Sequence, residues 1–241
     1  MKPRRTLLAL LASLALAAHA EALKPPASLI LDGIPQIDSL VAEKARGYTD
    51  FSARTFVAWH PLRREMLVSM RAGNTMQIHR VTAPGAKPEQ VTDFREPVRA
   101  AAYEPVLGRY LVFARDTGGD EAFQLFRLDL ESDGAKRLEK NKVTPLSDEK
   151  KRAGSLAWSA DGRLIAYTAM GIDRHQPGQA GTEIHVASPL EPEKDRVVAT
   201  FEGGHAVTLA LSADGSKLLG TEYLSSEQSV MWLVDVESGE K

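Results

Sequence analysis

Apolar and polar residues alternate in short runs along most of the chain, and the runs recur as a repeated unit. Each unit contains a β-type run, a turn and a second β-type run. The residues that end the first run of each unit lie 44, 55 and 53 positions apart, at Trp59, Tyr103, Trp158 and Leu211. A period of this length is typical of repeat architectures, in which one supersecondary unit stacks on the next.

Turn-forming residues separate the two runs of each unit. Glycine supplies the positive φ that a tight hairpin needs, and proline presets the φ of a turn position. The last two units have Asp-Gly pairs and the first two have prolines, at Asp161-Gly162, Asp214-Gly215, Pro61 and Pro105. The sequence therefore predicts a β-hairpin in every unit.

A third apolar run follows each hairpin, and a weaker fourth run follows in the first three units. The third runs lie at 76–81, 124–130, 183–187 and 229–236, and the fourth at 90–92, 142–144 and 196–201. This spacing predicts an all-β fold, a partial β-propeller of about four four-stranded blades. In residues 164–169 both strand faces are apolar, as a blade packed between two neighbours requires. A β-sandwich is the alternative, since its strands also come at short intervals.

The segment before the first unit, residues 21–54, has a different pattern. Residues 29–31 (Leu-Ile-Leu), followed by Asp32-Gly33, predict a lone strand and a turn. Residues 35–46 carry apolar positions at helical spacing and predict a short amphipathic helix. We therefore expect a leader at 1–20, an N-terminal extension at 21–54, and propeller blades at 55–241 with an incomplete last blade.

The first twenty residues have the pattern of a secretory signal peptide. Basic residues precede an apolar run at 7–18 that is too short to span a bilayer, and residues 18–20 (Ala-His-Ala) form a small-x-small cleavage site. An uncleaved membrane anchor or a buried helix is the alternative. We expect a periplasmic or secreted protein that is not attached to a membrane once the signal is removed.

Charge and cysteine content limit the partners of the mature chain. Removing the three basic residues of the leader leaves 27 basic and 32 acidic residues, a formal net charge of −5. A mildly acidic surface argues against nucleic acid or an anionic membrane as a partner. The chain has no cysteine, so its stability in an oxidising compartment depends on packing rather than on disulfides.

Two glycine-containing loops join second to third strands and are expected on one rim of the propeller. Residues 116–121 (Asp-Thr-Gly-Gly-Asp-Glu) form the first, and residues 171–181, with Asp173, Arg174 and His175, form the second. A phosphate loop would need a helix after its glycines, but the run after residue 121 alternates with period two. The acids of the first loop also lack the spacing of a calcium loop. We interpret both loops as strand connections, with contact to a substrate or a partner domain as the alternative.

Four strings carry a family resemblance: RDTGGDEAFQLFRLDL at 115–130, LAWSADGRLIAYTA at 156–169, EYLSSEQSVMWLVDVESGEK at 222–241, and DGIPQID at 32–38. Together they resemble the N-terminal propeller of bacterial serine peptidases of the prolyl oligopeptidase family, which includes dipeptidyl and acylaminoacyl peptidases. The resemblance implies a larger propeller packed over a C-terminal α/β-hydrolase domain that carries a Ser-Asp-His triad. It also implies that the propeller admits small peptides and helps to hold them.

The chain departs from that family in its second half. No G-x-S-x-G elbow, the turn that exposes the nucleophilic serine, occurs in the sequence, and the last unit lacks its fourth run. We expect that the sequence is truncated before the hydrolase domain, which accounts for both departures. The alternative is that residues 29–31 supply the missing strand and close a four-bladed ring.

Two local patterns resemble other functional motifs, and the histidines are a third set of candidate residues. Ser147 and Lys150 form an S-x-x-K pair, but in a charged linker rather than at the start of a helix. Ser159 and Asp161 resemble part of a sialidase Asp box and are explained by hairpin chemistry. The histidines have no metal-binding spacing, at His60, His79, His175, His185 and His205. We predict no catalytic residue, metal or cofactor in this chain, and the substrate-binding residues stay unassigned.

The expected function is that of a non-catalytic propeller segment of an exported prolyl oligopeptidase-like serine peptidase. It would gate and position peptide substrates for its partner, the C-terminal α/β-hydrolase domain of the parent chain. The alternative is a periplasmic interaction propeller, similar to Tol-type translocation components, that binds a protein partner. A downstream G-x-S-x-G segment would distinguish the two.

Overall fold

The computed structural model describes residues 22–130, 143–172, 181–202 and 205–241. The chain divides into two compact units, Met1–Ser52 and Ala53–Lys241. The predicted signal peptide and the loop residues Asp173, Arg174 and His175 lie outside the described residues. Within the described ranges, no helix is long and apolar enough to cross a membrane.

The described part of the first unit contains one helix, α1 (Ser39–Thr49). It begins later than predicted because Asp38 caps it, accepting a hydrogen bond from Leu40 N at 2.8 Å. The predicted strand at residues 29–31 is not formed. In the described part of this unit, an isolated antiparallel β-bridge instead joins Ala22 and Asp38. An apolar run without a partner strand does not make a stable strand by itself.

The second unit is built from strands, and its described part contains fifteen of them. They are β1 Arg54–Trp59, β2 Met66–Ala72, β3 Thr75–Val81, β4 Glu89–Gln90, β5 Val98–Tyr103, β6 Tyr110–Arg115, β7 Gln124–Asp129, β8 Val143–Pro145, β9 Lys151–Trp158, β10 Ile165–Gly171, β11 Thr182–Ser188, β12 Glu191–Phe201, β13 His205–Leu211, β14 Lys217–Ser225 and β15 Gln228–Asp235.

These strands form four antiparallel sheets, each made of strands that are consecutive in sequence. Blades 1, 2 and 3 are the four-stranded sheets β1–β4, β5–β8 and β9–β12, and blade 4 is the three-stranded sheet β13–β15. The predicted fold, a partial β-propeller of about four blades, is confirmed. Residues 29–31 are not a strand, so they do not supply a fourth strand to blade 4.

Apolar side chains fill the space between successive blades. On β6, Leu111 packs in the cluster shared with blade 1, whereas Tyr110 and Val112 pack in the cluster shared with blade 3. On β10, Tyr167 faces blade 2 and Ala166 faces blade 4. Burial of each large apolar side chain contributes about 1.5–3 kcal/mol. Alternate residues of one strand therefore join two different neighbours, which explains why both faces of these strands are apolar.

The turns that join the first and second strands of successive blades also pack against one another. We call this end of the sheets the turn rim. A Cβ atom on Gly108 would lie 2.4 Å from His60 Nε2, and one on Gly162 would lie 2.8 Å from Glu104 Oε1. Both glycines have positive φ, 64° and 70°. The turns of blades 2 and 3 each fit against the turn of the preceding blade, because a glycine without a side chain leaves room for it.

Candidate functional site

The opposite end of the sheets, which we call the loop rim, carries the loops that join the second and third strands of each blade and the connections between blades. They share one end because antiparallel strands reverse direction at each step. Two of these segments are neighbours: residues 116–123, between β6 and β7, and residues 91–97, between β4 and β5. Residues 116–121 therefore form a strand connection, as predicted, and a strand rather than a helix follows them.

A buried glutamine fixes the segment 91–97. The amide nitrogen of Gln77 donates hydrogen bonds to the carbonyl oxygens of Phe94, at 2.9 Å, and Glu96, at 3.0 Å. Its amide oxygen accepts hydrogen bonds from Thr92 Oγ1 at 2.8 Å and from Phe94 N at 3.2 Å. This polar side chain within an apolar strand holds the rim segment in one conformation.

An arginine joins the two rim segments. The guanidinium carbon of Arg115 lies 4.7 Å from the ring centroid of Phe94 and 4.9 Å from that of Phe126. Its Nη1 atom lies 3.3 Å from Glu96 Oε2. The other carboxylate oxygen of Glu96 accepts a hydrogen bond from Gly118 N at 3.3 Å. Glu96 therefore balances the charge of Arg115 and binds the glycine loop at the same time.

Asp116 lies beneath this loop and is only 4% exposed. Its Oδ2 atom accepts a hydrogen bond from Glu121 N at 3.2 Å. Glu121 has a φ of 60°, a left-handed conformation that is costly for a residue with a side chain. The Oδ1 atom is buried and has no hydrogen-bond partner among the described residues. An unpaired buried carboxylate oxygen is unfavourable, so this atom favours a bound donor.

We define Glu96, Arg115, Asp116 and Glu121 as the rim site. Three of its four residues are acidic, and the charge of the arginine is already balanced by Glu96. The open acceptor at Asp116 suits an N–H group or a cation rather than an anion. Within the described ranges, no group of three or more His, Asp and Glu residues is arranged to hold a metal ion.

The remaining sequence candidates lie apart from the rim site. Ser147 Oγ accepts a hydrogen bond from Leu125 N at 2.9 Å, and Lys150 is exposed. Asp161 lies in the blade 3 hairpin turn, where hydrogen bonds from Arg163 N and the Ser159 hydroxyl lower the pKa of its carboxyl group to about 2. The serine of the S-x-x-K pair is thus hydrogen-bonded to the backbone of β7, and the residues that resemble an Asp box form a turn.

The described histidines occupy four different environments. His60 Nδ1 accepts hydrogen bonds from two backbone N–H groups of its own turn, each at 3.1 Å, and burial lowers its pKa. His79 is buried beside the carbonyl oxygen of Gln77, and His205 is exposed at the start of β13. His185 lies between two carboxylates in blade 3. None of these four is a member of the rim site.

Sequence reasoning missed a buried ionic network on the turn rim. The Tyr103 hydroxyl donates a hydrogen bond to Glu65 Oε1 at 3.1 Å, and Arg63 Nη2 lies 2.9 Å from the same oxygen. Burial disfavours the charged form of Glu65, but Arg63, Arg80 and Tyr103 outweigh it and lower the pKa. These bonds connect blade 1 to blade 2. Thirty-eight positions separate Glu65 from Tyr103, so no local pattern reveals the pair.

Comparison with known proteins supports the fold. No family model matches the sequence, and no curated protein matches it. The chain is similar to the tricorn protease, with 21% identity and a TM-score of 0.50 over 67% of this chain and 15% of that one. It is also similar to prolyl endopeptidases, with 14% identity and a TM-score of 0.53 over 78% and 29%. An oligogalacturonate lyase from Vibrio parahaemolyticus gives 11% identity and a TM-score of 0.58 over 78% and 52%.

These likenesses concern the fold alone. The chain spans about half or less of the length of each of those three proteins. Two of the three are proteases or peptidases and the third is a lyase, so a propeller of this kind occurs with different chemistries. The function must therefore be argued from the site rather than from the fold.

Proposed function

We propose that this chain is the propeller segment of an exported serine peptidase of the prolyl oligopeptidase type, and that its rim site holds one end of a peptide substrate. The nucleophile would belong to a separate α/β-hydrolase domain of the parent protein. That domain would hydrolyse the peptide bond through an acyl-enzyme. The propeller would contribute orientation and exclusion of water from the reacting groups.

The buried, unpaired Oδ1 atom of Asp116 is the observation that carries this proposal. An extended peptide offers backbone N–H groups and an ammonium group at its amino terminus, both of which are donors. A peptide donor would satisfy this oxygen once the glycine loop above it moves aside, because Oδ1 is buried in the described conformation. The segment 91–97, held by Gln77, would keep Glu96 and its bond to the glycine loop in place before the peptide arrives.

Peptide binding tests the role of the rim site directly. A short peptide with a free amino terminus and a fluorophore at its carboxyl terminus is titrated with the whole chain, and anisotropy is recorded. Asp116→Asn keeps the shape of the side chain but loses its charge, and we expect binding weaker by about tenfold or more, since a hydrogen bond to a charged group contributes about 1.5–3 kcal/mol.

Glu227→Gln is the matched control, because Glu227 is an exposed acid in the β14–β15 turn of the same rim. We expect its affinity to remain within twofold of the unmodified chain. An acetylated version of the peptide should bind as weakly to the unmodified chain as the free peptide does to Asp116→Asn. Equal affinities for all three chains would contradict the proposed role of Asp116.

The peptidase part of the proposal has its own test. The native protein from its source organism is treated with a fluorophosphonate probe and the labelled peptide is sequenced. We expect one labelled serine within a G-x-S-x-G segment that follows Lys241 in the reading frame. A protein that contains this chain and does not react, with no such segment in its gene, would overturn the assignment to serine peptidases.

A propeller that binds a protein partner without catalysis is the second candidate, and the open face of blade 4 favours it. Met231 and Leu233 are more than half exposed on that face. An exposed apolar patch of this kind marks a contact surface in many proteins. A non-reactive native protein that purifies in a stable complex with another periplasmic protein would support this function over the peptidase.

A further inference from the structure

Blade 3 carries a chain of alternating charges across its strands. Lys151 of β9 forms an ion pair with Glu183 of β11. The same carboxylate oxygen of Glu183 lies 2.8 Å from His185 Nε2. His185 Nδ1 lies 2.8 Å from Asp195 Oδ2 on β12. The His185 ring is 5% exposed and stacks on the ring of Tyr167 from β10, with 5.0 Å between centroids.

The two short distances favour a doubly protonated His185 ring. A neutral imidazole has one N–H group, so it can donate to one carboxylate only, and its other nitrogen would then face a carboxylate oxygen with a lone pair. Lys151 and His185 outweigh the effect of burial and lower the pKa of Glu183, so that carboxyl group is ionised. A ring that donates to both carboxylates carries hydrogen on both nitrogens, so the two contacts favour an imidazolium at His185.

One of the two carboxylates belongs to an irregular part of β12. Val186 pairs with Arg196 and Ser188 pairs with Glu191, so the single residue Ala187 on β11 lies opposite the four residues 192–195 on β12. These four residues form a bulge larger than the usual single extra residue, without regular register pairing to β11. Asp195 is the last of them, and its bond to His185 ties the bulge to the neighbouring strand.

We propose that protonated His185 is a pH-sensitive clasp that holds the bulge 192–195 against β11 and releases it as the pH rises. Loss of the proton removes one of the two donors, and it leaves two carboxylates beside a neutral ring, with Lys151 paired to one of them. The bulge, whose residues have no partner in the register with β11, is then the part of blade 3 that opens.

The direction of the pH effect follows from the surroundings of the ring. Charged and titratable groups face it from each strand of the blade: Lys151 on β9, Tyr167 on β10, Glu183 on β11 and Asp195 on β12. Burial lowers the pKa of His185, but the hydrogen bonds to Asp195 and Glu183 outweigh burial and raise it above its ordinary value of 6.5. Its stabilising effect is therefore complete below about pH 6.5 and is lost as the pH rises through the higher folded-state pKa.

Hydrogen exchange at two pH values tests the clasp. The whole chain is labelled at pH 5.5 and pH 8.0, rates are corrected for intrinsic exchange, and the peptide that covers 191–201 is followed. We expect this peptide to be better protected at pH 5.5, by about tenfold for each unit by which the folded pKa exceeds the unfolded one. His185→Gln should remove the difference between the two pH values and give fast exchange at both.

His79→Gln is the control, because His79 is also buried in a blade but lies beside a backbone carbonyl oxygen rather than between two carboxylates. That variant should keep the pH difference in 191–201. Nitrogen-15 spectra of the unmodified chain at pH 6.5 should show hydrogen on both ring nitrogens of His185. Equal protection of 191–201 at both pH values, a pH difference that persists in His185→Gln, or a singly protonated ring at pH 6.5 would each overturn the proposal.

Discussion

The two faces of blade 4 carry similar side chains in very different surroundings. Leu218 on β14 and Val234 on β15 point toward blade 3 and are fully buried, whereas Leu233 and Met231 on β15 point the other way and are 60% and 63% exposed. The sequence pattern is apolar on both faces. A blade face in this fold is therefore made dry by its neighbour and not by its own composition.

Truncating one leucine on each face should give the largest contrast. Leu218→Ala removes a side chain from the blade 3–blade 4 cluster and leaves a cavity, so we expect the free energy of unfolding to fall by about 2–5 kcal/mol. Leu233→Ala removes a mostly exposed side chain and should change it by less than about 0.5 kcal/mol. Urea unfolding followed by tryptophan fluorescence measures both. Equal losses would mean that the outer face is covered in solution.

A glycine pair separates packing from backbone strain. Gly108→Ala places a Cβ atom against the His60 ring at a positive φ, and we expect a loss of about 2–4 kcal/mol from strain and overpacking together. Gly73→Ala has a similar φ of 60° but no heavy atom within 4 Å, so about 1–2 kcal/mol is expected from the backbone alone. Thermal unfolding of the two variants checks the difference. If Gly73→Ala is as damaging as Gly108→Ala, the turn rim does not join the blades.

Removing one tyrosine hydroxyl at a time tests the polar contacts between blades 1 and 2. Tyr103→Phe removes a donor from the buried Glu65 carboxylate, and we expect a loss of about 1–3 kcal/mol in the free energy of unfolding. Tyr223→Phe, on the exposed face of blade 4, should cost less than about 0.5 kcal/mol. Chemical denaturation at pH 7 measures both. A Tyr103→Phe variant as stable as the unmodified chain would show that water replaces the lost donor.

The features that the sequence predicted are those with a local cause. Asp161 and Gly162 form the blade 3 hairpin turn, and the apolar positions of residues 164–169 pack toward two different blades. A turn depends on a few neighbouring residues, and strand burial depends on alternation, so both are visible in one sequence.

The features that the sequence did not predict depend on residues far apart in the chain. The strand expected at residues 29–31 has the right side chains but no partner. Within the rim site, the glycine loop was identified, but Glu96 and the open oxygen of Asp116 depend on two segments that meet only after folding. The two partners of His185 show the same contrast. Glu183 lies two residues before it in the sequence, whereas Asp195 reaches it only because of the bulge in β12.

Thiol labelling tests most directly the claim that the neighbouring blade decides which face is dry. The chain has no cysteine, so single variants report on one position each. With a small thiol reagent under native conditions, Leu233→Cys should react at nearly the rate of a free thiol. Leu218→Cys should react at least about 10³-fold more slowly, because it becomes accessible only when the blades open. Equal rates at the two positions would contradict the stacked-blade account.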